Sequence, residues 1–317
     1  MTRYLARRLG LSILTLFLIV TIVFLIVNVL PGDIGRRISG PFAPQAQVDA
    51  LNERLGLDDP ILTQYLRLVK NTLTFNFGDS FSLDRPVSGV IGSALGRSLR
   101  LAAFALILTI PLSIAAGVFA ARRRDSLSDR TVVTLGLASS SIPEFVSSVI
   151  LQATIGVGLG WFHVVGRAPE GSSIWTNLSY LTLPSVALVI VYFGYIARIS
   201  RSGMITALEA DFTRTAVMKG LTTRQVLRRH VLRNGLQPTI SVIGVQIGYV
   251  LGSLVAIEKI FNYPGLGLTI VNAAAKKDLP LLQAGVMIVA IIYMLATLGA
   301  DLVVAWMNPR SRLEAEA

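Results

Sequence analysis

The chain has 317 residues, of which 53% are hydrophobic and 15% charged, against about 25% charged in an ordinary soluble domain. Its net charge is +11, but the basic residues gather at the ends of apolar stretches, where anionic lipid and the positive-inside rule account for them, so no nucleic-acid partner is expected. There is no cysteine, which excludes a disulfide framework and a thiolate metal site.

The first apolar span runs over 9–30, behind Arg3, Arg7 and Arg8. A cleaved signal peptide has an apolar core of only about 7–15 residues, so this longer run reads as a retained transmembrane helix. The segment 31–98 that follows is polar and patterned. Gln47–Leu55 and Ile61–Leu73 read as amphipathic helices punctuated by Gly56 and Pro60, and Asn76-Phe77-Gly78-Asp79 as a turn. It is expected to form a small outer cap and not a separate domain.

Five more spans follow, at 99–121, 131–159, 181–199, 239–257 and 281–307. Each supplies the ~20 residues needed to cross a ~30 Å hydrocarbon layer. The third is interrupted by Pro143 and Glu144. Backbone polar groups in lipid must be satisfied within the segment, so the expected fold class is an all-α polytopic membrane protein of about six helices, as one transmembrane domain over 1–317. Seventeen of the 29 Lys and Arg residues fall on one side if the N-terminus is cytoplasmic, and four on the short outer loops. Both termini are therefore expected in the cytoplasm.

The most informative segment is the inner loop 200–237. Met204, Leu208, Phe212 and Ala216 recur at four-residue spacing, one apolar stripe on a helix. Gly220 is placed to stop that helix, and Thr222 or Thr223 to cap a second. Val226, Leu227, His230 and Val231 give its less polar side, and Asn234-Gly235 with Pro238 close it. Periodicity leaves two readings open: an apolar ridge offered to a groove on another protein, or a helix pair lying on the inner membrane surface.

The run Glu209-Ala210-Asp211-Phe212-Thr213-Arg214-Thr215-Ala216-Val217-Met218-Lys219-Gly220, with His230-Val231-Leu232-Arg233-Asn234 after it, resembles the coupling loop of ABC-type import permeases, and more closely their dipeptide and oligopeptide branch. Thr215-Ala216 and Gly220 match the core of the family signature, while Gln237-Pro238 stands where Leu-Pro is usual. Leu55-Gly56-Leu57-Asp58-Asp59-Pro60, Phe77-Gly78-Asp79-Ser80, Ser141-Ile142-Pro143, Ile257-Glu258-Lys259-Ile260-Phe261 and Pro264-Gly265-Leu266-Gly267 are similar to that branch in the same order, as are Pro31-Gly32-Asp33 and Pro309-Arg310.

The resemblance implies a type I importer permease. It implies a second homologous permease subunit, two ATPase subunits and an extracytoplasmic substrate-binding protein as partners, in a lipid membrane. Glu209, Asp211, Phe212, Arg214, Thr215, Ala216, Lys219 and Gly220 would form the ATPase-coupling site. No lysine follows a glycine anywhere in the chain, so it holds no phosphate-binding loop. No cofactor is expected in this chain, ATP and Mg belonging to the partner ATPases, and no enzymatic activity of its own. The substrate expected is a dipeptide or oligopeptide. Relatives of this branch carry nickel, glutathione or other small solutes, and a secondary transporter is the rival outside the class.

Glu144 is an acid inside a span, beside Pro143. It reads either as a carboxylate lining the translocation path, meeting a peptide amine, or as one partner of a structural pair in the bundle. Glu258 and Asp301 sit near span ends, where snorkelling or pairing with Lys259 is the expectation. Pro264-Gly265-Leu266-Gly267 reads as a tight outer turn. His163 and His230 stand too far apart for a metal site.

Overall fold

The computed structural model describes residues 2–29, 34–40, 42–56 and 58–307, and is almost entirely helical. In chain order the helices are α1 (Thr2–Val29), α2 (Ile34–Ser39), α3 (Gln45–Leu55), α4 (Ile61–Leu73), α5 (Val87–Arg122), α6 (Leu127–Ser140), α7 (Glu144–Leu151), α8 (Ile174–Glu209), α9 (Asp211–Met218), α10 (Thr223–Val226), α11 (Leu232–Gly235), α12 (Gln237–Ile260), α13 (Leu266–Ala275) and α14 (Leu279–Met307). Two π-helical stretches interrupt them, Gln152–Gly158 after α7 and Leu227–Val231 between α10 and α11. A two-residue antiparallel ladder, β1 (Asp79–Ser80) with β2 (Arg85–Pro86), pairs Asp79 with Pro86 and Ser80 with Arg85.

Helices α5, α8 and α12, and residues 279–299 of α14, are long and apolar enough to cross a bilayer. In α1, residues 10–22 form a shorter apolar helix. The expected single span over 131–159 is instead a broken pair: α6 and α7 bend by 101° at the break. The cause is local. Pro143 takes φ −59° and ψ 144° as the residue before α7, and a proline ring removes the N–H and crowds the carbonyl that a continuous helix would need. Ser147 and Ser148 donate their hydroxyls back to the Glu144 carbonyl.

The chain divides into two compact units. One comprises Met1–Tyr4, Ser98–Tyr263 and Leu295–Ala317. Its core packs Leu101, Leu188, Ile196, Ile257 and Phe261, all without exposed surface, from α5, α8, α12 and the turn after it. Helices α6 and α8 approach to backbone contact, since a Cβ on Gly194 would lie 1.9 Å from the Gly136 carbonyl oxygen. Gly117 of α5 likewise faces the Ala197 carbonyl, where a Cβ would fall at 2.5 Å. Small residues at such crossings let helices associate in lipid, where no hydrophobic force drives them together. Glu258 is not a snorkelling residue: it has no exposed surface and accepts a hydrogen bond from the Ser98 hydroxyl.

The other unit comprises Leu5–Arg97 and Pro264–Met294. Val87, Ile91, Ala94, Leu266, Ala273, Leu281 and Ala284 make its core. Within it the cap helices fall as the sequence predicts, with α3 ending at Gly56 in a left-handed conformation (φ 62°) and α4 spanning Ile61–Leu73. Tyr65 of α4 packs edge-on against Phe17 and Phe24 of α1 and shares a hydrogen bond with the Thr21 hydroxyl at 2.8 Å. The Pro264-Gly265 turn opens a helix that the sequence reading did not foresee: Gly265 precedes the ten-residue α13. Pro31-Gly32-Asp33, Leu57 and Pro309-Arg310 lie outside the described residues, as does the side chain of Asp301.

Candidate functional site

The stripe Met204–Ala216 does not run along one helix. Helix α8 ends at Glu209, Ala210 takes an extended conformation (φ −69°, ψ 150°), and α9 starts at Asp211. The Thr213 hydroxyl donates to the Ala207 carbonyl at 2.6 Å, satisfying one of the acceptors that the break frees. Asp211 supplies a negative charge in the first turn of α9, where the helix dipole favours it. The break therefore splits the stripe, leaving Met204 and Leu208 on α8 and Phe212 and Ala216 on α9.

Its consequence is a change in which residues face outward. Met204 and Ala216 are buried together with Ala121, Ala207, Val226 and Val231 in an intramolecular cluster. Ala216, expected to face a partner, is part of the frame that holds α9 down, together with buried Thr213. The apolar atoms that α9 turns outward belong to Phe212, Val217 and Met218, which are 39%, 58% and 79% exposed. Val217 and Met218 were not singled out by the sequence reading. The signal was there, in two large apolar residues flanking the inward Ala216, but four-residue periodicity pointed past them.

Asp211, Arg214, Thr215 and Lys219 are exposed around that patch. Asp211 and Arg214 stand 3.9 Å apart as a solvent-exposed pair, and Glu209 pairs with Arg124 of the turn between α5 and α6.

Gly220 ends the segment as the sequence predicts. Its φ is +78°, its N–H donates to the Val217 carbonyl at 2.9 Å, and the Leu221 N–H donates to the Ala216 carbonyl at 3.3 Å. Those two bonds define a Schellman stop, in which a left-handed glycine satisfies the last carbonyls of a helix. Thr222, not Thr223, caps the next helix, and Thr222 with Gln225 forms a reciprocal capping box. The helix then passes through the π-helical Leu227–Val231, which places His230 there. It closes at Gly235, whose carbonyl lies where a Cβ on Gly203 of α8 would fall, at 2.2 Å. Pro238 sits in the first turn of α12, where its missing N–H costs nothing. An open cavity of about 320 Å³ lies between Ser202, Thr206 and Ala210 of the α8 end, Phe212, and Asn234 with Pro238.

Pro143 and Glu144 lie elsewhere, at the bend between α6 and α7. Glu144 is half-buried and stands within electrostatic reach of Tyr192 on α8, whose hydroxyl shares a 2.7 Å hydrogen bond with Ser253 of α12. The structure therefore gathers an acid, a phenol and a serine hydroxyl from three helices near one helix break. Among the described residues no cluster of His, Asp and Glu has the makings of a metal site.

Comparison with known proteins is consistent over the whole length. The family described as "Binding-protein-dependent transport system inner membrane component" matches residues 113–313, and its companion, "Binding-prot-dependent transport system membrane comp, N-term", matches residues 1–102. The glutathione transport system permease protein GsiC of Escherichia coli (strain K12) is 33% identical over 312 residues, covering 98% of this chain and 99% of that protein. Its namesake in Salmonella paratyphi A is 34% identical over the same coverage. A solved amino acid ABC transporter with histidines overlaps 70% of this chain and 94% of its own, at a TM-score of 0.49 and 17% identity. The chain belongs to the family of inner-membrane components of binding-protein-dependent transport systems, and is a multi-pass permease subunit of an ABC-type importer.

Proposed function

We propose that this permease carries dipeptides or oligopeptides inward across the cytoplasmic membrane, and that residues 209–220 are where two partner ATPase subunits drive it. The observation that carries the reading is the architecture of α9. A short helix projects Phe212, Val217 and Met218 outward while Thr213 and Ala216 fix it to the ends of α8 and α10. An apolar ridge on so braced a helix suits a groove on a partner, and the bracing lets a push on the ridge reach α8. The second permease subunit completes the path, and an extracytoplasmic binding protein delivers the substrate. ATP and Mg act in the ATPases, and this chain neither binds nor hydrolyses ATP.

The substrate class follows from two supports. The sequence resembles the peptide branch, and the relatives at 33–34% identity are named for glutathione, itself a γ-linked tripeptide with one free amine. That name also favours a second reading, glutathione as the cargo. Glu144 is assigned to the path in either case, as the carboxylate that meets the substrate's amine, with Pro143 fixing the bend that presents it.

The test is ATP-driven uptake in proteoliposomes holding the complete importer. Gly220→Val places a β-branched residue at φ +78° and should lower uptake about tenfold, an ordinary coupling energy, with the membrane level of the protein unchanged. Glu144→Gln should lower uptake of substrates with a free amine by about tenfold, the loss of one charge-assisted contact, and leave N-acetylated ones alone. Wild-type uptake by the Gly220 variant would overturn the coupling role. Equal effects on both substrate types would remove Glu144 from the path.

A further inference from the structure

Helix α6 is tied to α8 at two depths and through its own leading turn. At its start, Asp129 is held by Arg201 of α8 through two bonds, Nε to Oδ1 at 2.5 Å and Nη2 to Oδ2 at 2.6 Å. The Asp129 side chain is 3% exposed and that of Arg201 24%. Asp129 Oδ2 also accepts the Asp125 N–H at 2.9 Å, so the turn between α5 and α6 is folded onto the same carboxylate. In that turn Arg124 pairs with Glu209, the last residue of α8 before the coupling helix. Further along, the Gly136 and Gly194 backbones touch.

The placement of these ties is what matters. They grip the stretch of α8 immediately ahead of α9, and the other end of α6 is the bend at Ser141-Ile142-Pro143 from which Glu144 departs. A buried ion pair is weak evidence for net stability, because apolar replacements of similar volume are often as stable. What a two-pronged guanidinium–carboxylate contact does supply is a fixed orientation of the two helices.

We infer that Asp129 and Arg201 are positioning residues that make α6 and the cytoplasmic end of α8 a single lever, carrying displacement of the coupling helix to the bend at 141–143 and so to Glu144. The inference rests on the coupling role given to residues 209–220, and the test separates the two.

In proteoliposomes holding the complete importer, the readout is substrate moved per ATP hydrolysed. Asp129→Asn and Arg201→Gln should each keep the ATPases in the purified complex and keep their hydrolysis, while that ratio falls about tenfold, within the usual range of coupling energies. Arg201→Lys, which keeps the charge but loses the fork, should fall in between. It guards against a fold that fails without the charge, and a wild-type ratio in it overturns the inference. The chain has no cysteine of its own, so the double variant Asp129→Cys with Arg201→Cys can be bridged by a short bifunctional thiol reagent. Bridging should restore transport. A bridged protein that hydrolyses ATP without transport means that α6 must slide on α8, and the lever is wrong. Separately, a Phe212→Asp variant that retains its ATPases and the normal ratio would remove the coupling role of 209–220, whatever the Asp129 variants do.

Discussion

Asp278 has no exposed surface and stands just ahead of α14, beyond the membrane span. Burial by itself would raise its carboxyl group. The opposing contacts prevail, from the Ser80 hydroxyl, the Ser82 N–H and hydroxyl, and the Leu281 N–H, and hold it below the usual value of 3.8. A carboxylate with a lowered folded value contributes stability above its unfolded value and loses it as pH falls through the folded one. Asp278→Asn should therefore melt several degrees below the parent protein at pH 7 in detergent, for a loss of roughly 1–3 kcal/mol. Near pH 3 the gap should narrow, because the parent has begun to lose the same contribution. An equal gap at both pH values would count against a charged Asp278.

Sequence could not have picked out this residue or Asp129. Their donors lie 198 and 72 positions away, and only the fold brings them together. Glu144 was legible for the opposite reason: an acid inside an apolar run is conspicuous without any partner. Glu258 was visible in the same way but misjudged, since its place at the end of a span did not reveal that α5 covers it.

At the scale of the helix, the crossing of α6 and α8 is the most sharply constrained contact. A Cβ on Gly194 would meet the Gly136 oxygen, carbon and Cα at 1.9, 2.4 and 2.5 Å, all backbone atoms that cannot turn aside. Gly194→Ala should destabilise the protein by about 1–3 kcal/mol, read as a lowered melting temperature, while Gly92→Ala, with open space around it, should not. Elements with local signals were readable in advance: the two cap helices, the glycine stops at Gly56 and Gly220, and the capping box at Thr222. Those set by tertiary context were not. The break at Ala210 carries no proline or glycine, and it forms because Thr213 can turn back onto Ala207 and Ala216 can bury. The π-helical segment and α13 have no periodicity that separates them from ordinary helix or turn.

For the molecule as a whole, the bias of Lys and Arg puts α9 and α10 in the cytoplasm and the segment between the π-helical Gln152–Gly158 and α8 outside. The absence of native cysteine makes this simple to check in intact cells. A membrane-impermeant thiol reagent should label Glu170→Cys from outside, and should reach Arg224→Cys only after the membrane is opened. The reverse pattern would invert the topology. Both termini follow the same assignment.

The π-helical turn at Leu227–Val231 bears on something other than mechanism, namely which changes of length the chain can accept. A π turn is an α-helix carrying one surplus residue. Deleting a residue here would regularise the hydrogen bonding and look harmless in a segment so rich in arginine. It would also rotate everything downstream by about 100°, swinging Gly235 off Gly203 and starting α12 on the wrong face. Surface connections commonly absorb insertions and deletions. In this one the residue count sets the phase of a membrane helix, so substitutions should be tolerated where single-residue deletions are not.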